Sequence, residues 1–436
     1  MRPTRPSFTL VSLASAALAV AAAYEGPRTF TASEILKPSQ VKGPHFQVAP
    51  TVKTEGYFHI FDITTDYGPL DAEGMSLLLT RLNEVRALAE LDQVSKSEVF
   101  LKAAGTSVVN VGKGVVSAVK DPAATAKGVG AGVKRFGTNL GRKAKRTGDK
   151  AVDAAKTDEG EQKAEGEQKS TEQKAAEAAG GIAGSVFGVT KASRRWAQKV
   201  GVDPYTTNPI LKKALGDIGK VDAAGGIAAK VVVPIPMVVS TTASVGNLVW
   251  GKDPEELLKY NEQRLKELGA SGDVIKQLYL SKGFTLSLHT RLVNALHAVK
   301  AKGSAAYVET AAEADLVREA VFFTESAELL GRFHAKSPVV ELLGDSRALV
   351  AKTKDGRAAV LLPVDWIRWT AEFEKAAAEV AQRAKAELGA TKLELHLAGT
   401  ASATAKKELA ARGFTVVENV PLTFEAAEAS APATKK

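Results

Sequence analysis

Residues 148–181 read GDKAVDAAKTDEGEQKAEGEQKSTEQKAAEAAGG, with an imperfect GEQK repeat and almost no large apolar side chain. A stretch of this composition removes too little surface from water to offset the entropy of ordering it. Residues 148–180 are therefore expected to be a linker or a solvated helix, so any packed core must come from the chain on either side. The material is there: 436 residues, 45% hydrophobic and 25% charged, are enough for two or three cores.

The chain opens MRPTRPSFTLVSLASAALAVAAAYEG, in which Arg2 and Arg5 precede an uncharged apolar run from Phe8 to Ala23. Ala21 and Ala23 suit an A-x-A cleavage site, which predicts a secretory signal peptide over residues 1–23 and a periplasmic or secreted location. Losing Arg2 and Arg5 takes the formal charge from +9 to +7, so the remaining chain is basic and favours polyanionic neighbours. The chain has no cysteine, which excludes a disulfide framework, a lipoprotein anchor and thiolate metal sites together.

Between the leader and the linker, HFQVAPTVKTEGYFHIFDITTDYGPLDAEG reads as two strands about a turn at Lys53–Gly56. Tyr57, Phe58, Ile60, Phe61 and Ile63 are apolar on both faces, which predicts a buried strand. Met75, Leu78, Leu82, Val85 and Leu88 follow helical spacing, and Ser95 with Glu98 forms a capping-box pattern for a second helix. Beyond the linker, Ile182, Val186, Val189, Ser193, Trp196 and Val200 lie on one helical face. Asn208-Pro209 and Asp253-Pro254 are helix starts, and helical patterns continue near 273–281, 285–300 and 305–334. The last hundred residues alternate strands and helices, with a hairpin turn at Asp355-Gly356.

The expected fold is α+β. An N-terminal β-hairpin with amphipathic helices spans 24–147, a mostly α-helical middle domain spans 181–335, and a small α/β domain with a mixed sheet spans 336–425, followed by a disordered tail over 426–436.

Residues 112–146, GKGVVSAVKDPAATAKGVGAGVKRFGTNLGRKAKR, carry nine Lys or Arg and one Asp. Val115, Val119, Pro122, Ala126, Val129, Val133, Phe136 and Leu140 are spaced alternately by four and three, while Lys113, Lys120, Lys127 and Lys134 recur every seven. Both series fall on fixed faces of a helix, a basic amphipathic pattern. Seven glycines, each costing about 1 kcal/mol inside a helix, make that helix conditional on a surface. In Gly, Lys and Val composition alone the stretch resembles synuclein-like lipid-binding repeats. Lys113, Lys120, Lys127, Lys134, Arg135, Phe136, Arg142, Lys143, Lys145 and Arg146 are the candidate contacts to an anionic lipid surface or another polyanion. Nucleic acid fits less well, because Phe136 is the only aromatic among the basic residues. Packing of the Val face on its own domain is the plain alternative. A second segment, residues 231–250, has no charge, but Pro234, Pro236 and five hydroxyl or amide side chains favour a buried stretch over a membrane span.

Catalytic motifs are missing: the chain has no HExxH, GxSxG or P-loop, and nothing calls for a cofactor. Ser117 and Lys120 match SxxK without its partner motifs. Asp365 follows an apolar strand, and the alternation of KLELHL puts Lys392, Glu394 and His396 on one sheet face, so Asp365, Glu394 and His396 are the candidate catalytic groups. Asp62, Asp66, Asp71 and Glu73 crowd one strand-to-loop region with oxygen-ligand chemistry but no EF-hand spacing. His289 and His297 are too loosely spaced on one helix to share a metal. The expected function is that of an exported, non-enzymatic envelope protein associating weakly with an anionic membrane. The alternative is a secreted hydrolase or toxin-like effector with its site in the C-terminal α/β domain.

Overall fold

The computed structural model describes residues 24–104, 181–225 and 243–422, and they form an α+β protein with an antiparallel sheet, a mixed sheet and a two-stranded parallel pairing of Trp366–Ile367 with Thr400–Ala401. The N-terminal part contains β1 (Thr29–Thr31), two single-turn helices α1 (Ala32–Ile35) and α2 (Pro38–Val41), β2 (Lys42–Gly43), β3 (Phe46–Val48), β4 (Thr51–Glu55), β5 (Phe58–Thr65) and β6 (Leu70–Glu73). The β4–β5 hairpin expected from the sequence is the middle of a larger antiparallel sheet. Ile60 pairs with both Lys53 and Glu73, and Ile63 with both Val48 and Leu70, so β3 and β4 lie end to end along one edge of β5 and β6 along the other. Pro50, which has no N–H to give the ladder, separates β3 from β4.

β5 is buried on both faces, as its composition implied, only at its start, where Phe58 and His59 are both buried. Phe61 and Ile63 are buried with Phe30, Val48, Val52 and Ala72, whereas Asp62 and Thr64 are exposed and Ile60 half-buried. The sheet therefore has one wet face, as antiparallel sheets commonly do. Helix α3 (Met75–Ser95) covers the dry face through Leu78, and α4 (Glu98–Ala104) follows it. The cap of α4 is Ser97, whose Oγ accepts from Phe100 N at 3.3 Å; Ser95 lies inside α3 and donates to the Asp92 carbonyl.

The helical part comprises α5 (Gly181–Val186), α6 (Lys191–Lys199), α7 (Pro209–Gly225), α8 (Ala243–Gly251), α9 (Pro254–Glu267), α10 (Gly272–Leu280), α11 (Leu286–Val299), α12 (Ser304–Ala311) and α13 (Val317–Lys336). Two stretches expected to be single helices are broken. The 182–200 face is split where Thr190 starts a new helix, its Oγ1 accepting from Ser193 N at 3.1 Å. The 305–334 pattern is split because Glu319 reaches back to Asp315 N and Leu316 N, at 2.9 and 3.3 Å, and so caps α13. Of residues 231–250, the described part begins α8, where Val245 and Val249 are buried. Among the described residues no helix is long and apolar enough to cross a membrane.

Helices from both sides of residues 105–180 share one core: Val85, Leu88, Leu91 and Phe100 pack with Trp196, Val200, Leu211, Leu215 and Ile218.

The C-terminal part runs β7 (Val339–Leu342), β8 (Leu349–Thr353), β9 (Arg357–Leu362), β10 (Trp366–Ile367), α14 (Ala371–Leu388), β11 (Lys392–Leu397), β12 (Thr400–Ala401), α15 (Ala403–Ala411) and β13 (Phe414–Val417). Its sheet has the order β13-β11-β9-β8-β7, parallel through β9, β11 and β13 and antiparallel at β7 and β8. Phe373, Ala377 and Val380 of α14 and Leu409 of α15 line one face with Val360, Leu362 and Leu395. α13 packs against β8 and β9. The middle helices and this sheet belong to one continuous core, which also takes in Tyr57 and Phe58.

Candidate functional site

The β11 alternation turns Leu393, Leu395 and Leu397 into the core and Glu394 and His396 to the other, partly open face. Arg357 of the neighbouring strand donates through Nη1 to Glu394 Oε1 at 2.6 Å, and His396 Nε2 lies 2.9 Å from Glu394 Oε2. Arg357 is held in turn by Asp355 at 3.0 Å and Ser337 at 3.1 Å, and Phe333 of α13 stands edge-on to the His396 ring at 5.0 Å. Burial pushes the Glu394 carboxyl up, but the His396 and Arg357 hydrogen bonds outweigh it and hold the group below the usual carboxylate range. A carboxylate so held is a weak base with both oxygens occupied.

Asp365 sits beyond the end of β9, where the sequence placed it, but it faces the N-terminal sheet. Its carboxylate accepts from His59 N at 2.8 Å and from Met75 N at 3.1 and 3.2 Å, while its own N–H and that of Trp366 donate to the Tyr57 carbonyl, each at 3.1 Å. Asp365 is thus a helix cap, for α3 and not for the helix that follows it. That helix, α14, is capped by Thr370. Gly74 makes the approach possible: at φ 95° it suits no L side chain, and an added Cβ would lie 3.2 Å from Phe58. Burial pushes the Asp365 carboxyl up to about 6, against the pull of the two backbone donors. Trp369 is fully buried, and Trp366 meets Phe30 edge-on at 5.4 Å.

The four N-terminal acids do not converge. Asp62 and Asp71 are cross-strand partners on the wet face, Asp66 pairs with His45 at 2.9 Å, and Glu73 pairs with Arg318 at 2.5 Å. Among the described residues no three His, Asp or Glu side chains come together as metal ligands. His289 is buried, with Nδ1 at 2.9 Å from Asn261 Nδ2, and His297 lies between Glu267 and Arg264, each at 2.6 Å. Lys113, Lys120, Lys127, Lys134, Arg135, Phe136, Arg142, Lys143, Lys145 and Arg146 lie outside the described residues, as does Ser117.

The sequence reading missed a polar seam where α3, the 203–208 loop, α11 and α13 meet. Ser76, in the first turn of α3, donates to Glu325 of α13, a carboxyl only 3% exposed. Arg291 of α11 grips Glu328 with two hydrogen bonds of 2.8 Å, and one turn earlier Ser287 donates to Asp203, which also accepts from Tyr205 N at 2.8 Å. Further along α3, Glu84 takes Arg81 at 2.8 Å, Thr206, and Asn208 Nδ2 at 3.0 Å. Burial pushes Glu325 up to about 7; Arg291 and Ser76 pull it down, and Glu328 and Asp365 add to the rise. Asp203 is likewise raised by burial. The available signal was Thr324-Glu325-Ser326, three polar residues inside a helix face otherwise built of Phe322, Phe323, Ala327 and Leu330.

The chain matches no family model, no curated protein and no solved structure.

Proposed function

We propose that the chain is an exported envelope protein that associates weakly with anionic membrane surfaces through residues 112–146. The observation that carries this is the coincidence of two series in one stretch, the four-three ladder from Val115 to Leu140 and the Lys repeat at 113, 120, 127 and 134. On a helix, the Val and Phe face enters the interface while each Lys or Arg near the headgroups contributes about 1 kcal/mol. Two features of the folded parts support it. The groups a hydrolase reading would rest on are engaged: the Asp365 oxygens cap α3, and the Glu394 oxygens are taken by Arg357 and by Nε2 of His396. The chain also enters residues 105–180 from α4, packed on α7, and returns at α5, packed on α10 and α11, so the interval is tied to folded structure at both ends.

Co-sedimentation with vesicles rich in anionic lipid tests the reading. The protein lacking residues 1–23 is expected to bind at low salt, to release at high salt and to ignore zwitterionic vesicles; failure to bind at low salt overturns it. Residues 151–180 net −4 against +8 for 112–146, so deleting 151–180 is expected to strengthen low-salt binding by removing a competing polyanion. Export itself is read by intact mass, which should correspond to loss of residues 1–23 after secretion.

A further inference from the structure

The seam at the start of α3 joins three parts of the molecule through carboxyls that outnumber their cations. Asp365, from the C-terminal part, takes the first N–H of α3, and Glu325, from the middle helices, takes the Ser76 hydroxyl one residue on. The two carboxyls lie close enough for the Asp365 charge to oppose the ionisation of Glu325. Around them stand Glu328 and Asp203, both served by Arg291, and beyond Asp203 the Glu84–Arg81 pair. Among the described residues Arg291 faces Glu328, Glu325 and Asp203, Arg81 is paired with Glu84, and the nearby Arg318 is paired with Glu73, so the five carboxyls outnumber these guanidiniums. On the far side of Asp365 the His59 ring, buried against Thr54, supplies no charge, because burial pushes its pKa down to about 4. The positive end of the α3 dipole, about half a unit charge, offsets only part of the excess.

We propose that this seam is a proton-linked latch: Glu325 and Asp365 hold protons while the N-terminal sheet and α3 are docked on the middle and C-terminal parts, and the docking loosens as pH rises through neutrality. The proposal does not depend on the membrane reading. A protonated Glu325 can donate as well as accept, so it satisfies Ser76 without adding a buried charge. Opening the seam returns both groups to water, where they ionise near their ordinary values of about 4. The raised value of Glu325 sets the window: docking is fully favoured below about pH 4.5 and weakens progressively as pH rises through about 7.

Hydrogen exchange of the full chain between pH 6 and 8, corrected for intrinsic rates and read at the first turn of α3 and at residues 360–370, tests the latch. The His59 ring is neutral in the docked state above pH 6, and any exposure of it on opening would lower the opening constant as pH rises, so a rise reports the carboxyls. The opening constant is expected to rise about twentyfold over this window in the wild type and about twofold in Glu325→Gln, which keeps only the Asp365 share. An opening constant that stays flat in the wild type, or rises equally in Glu325→Gln, overturns the proposal. Infrared spectroscopy of the wild type reads the same protons without a variant. A protonated carboxyl band at pH 6 that fades by pH 8 supports the latch, and its absence at pH 6 overturns it.

Discussion

At the scale of single residues, Asp365 shows how a side chain placed like a catalytic group is used to join distant strands. His59 N and Met75 N are partly buried donors that no other described group serves at these distances, so removing their acceptor leaves both wanting. Asp365→Ala is expected to cost about 2–4 kcal/mol in urea unfolding, on the scale of one to two unsatisfied buried donors. Asp365→Asn retains one carbonyl oxygen and should lose less than half as much; equal losses would show that the charge, and not the acceptor, matters. Gly399 guards the same spot from behind. A Cβ there would stand 1.9 Å from the Asp365 carbonyl oxygen, backbone that cannot swing aside. Gly399→Ala should therefore cost about 1–3 kcal/mol through overpacking, whereas a loss under about 0.5 kcal/mol would show that the β9–β11 ends give way easily.

Among the elements, helix starts separate what the sequence reveals from what it hides. Asn208-Pro209 was legible because a cap is local: Asn208 Oδ1 accepts from Ile210 N at 3.0 Å and Leu211 N at 3.3 Å. Its second role was not legible, since Nδ2 reaches Glu84, 124 residues away. Asn208→Ala should cost more than the ~1 kcal/mol of an ordinary cap, because it also strips a donor from a buried carboxylate, while Thr370→Ala at the start of α14 should cost only that ordinary amount. Thermal melts of the two variants give the comparison, and equal shifts would remove the second role of Asn208. The period-two pattern of KLELHL and the turn at Asp355-Gly356 were legible for the same local reason. The Glu319 reach-back that divides α12 from α13 was not, because Leu316 is no capping residue and the apolar spacing runs on through the break. The contacts that assemble the candidate seam, Ser76 to Glu325 and Met75 to Asp365, span 249 and 290 residues, and no pattern within a segment reports such pairs.

For the molecule as a whole, two sets of buried groups pull stability in opposite directions with pH. Glu325 and Asp365, raised by burial, favour the folded state in acid and lose that contribution as pH rises through about 7 and about 6. His59 and His289, depressed by burial to about 4 and about 3, favour the folded state above their ordinary value near 6.5, and that contribution is lost as pH falls. The unfolded chain binds nearly two more protons at the histidines than the fold does at about pH 5 and about half a proton more at pH 7, and the deficit at the carboxyls follows the same course, so the terms almost cancel. These four groups by themselves leave the urea midpoints of the wild type nearly flat across that interval, and the raised Asp203 adds only a loss of stability as pH rises. Single variants break the balance in opposite senses. Relative to wild type, His289→Gln should gain about 2 kcal/mol between pH 6.5 and pH 4.5, because it lacks the imidazole that must be kept neutral in the core. Glu325→Gln should instead gain as pH rises from 5 to 8. A wild-type profile that slopes steeply, or two variants that tilt the same way, would mean that the flatness does not arise from opposed buried groups. The balance also explains why a seam with an excess of carboxyls is tolerated: near neutral pH its cost on deprotonation is offset, in the stability of the whole fold, by the buried His59 and His289.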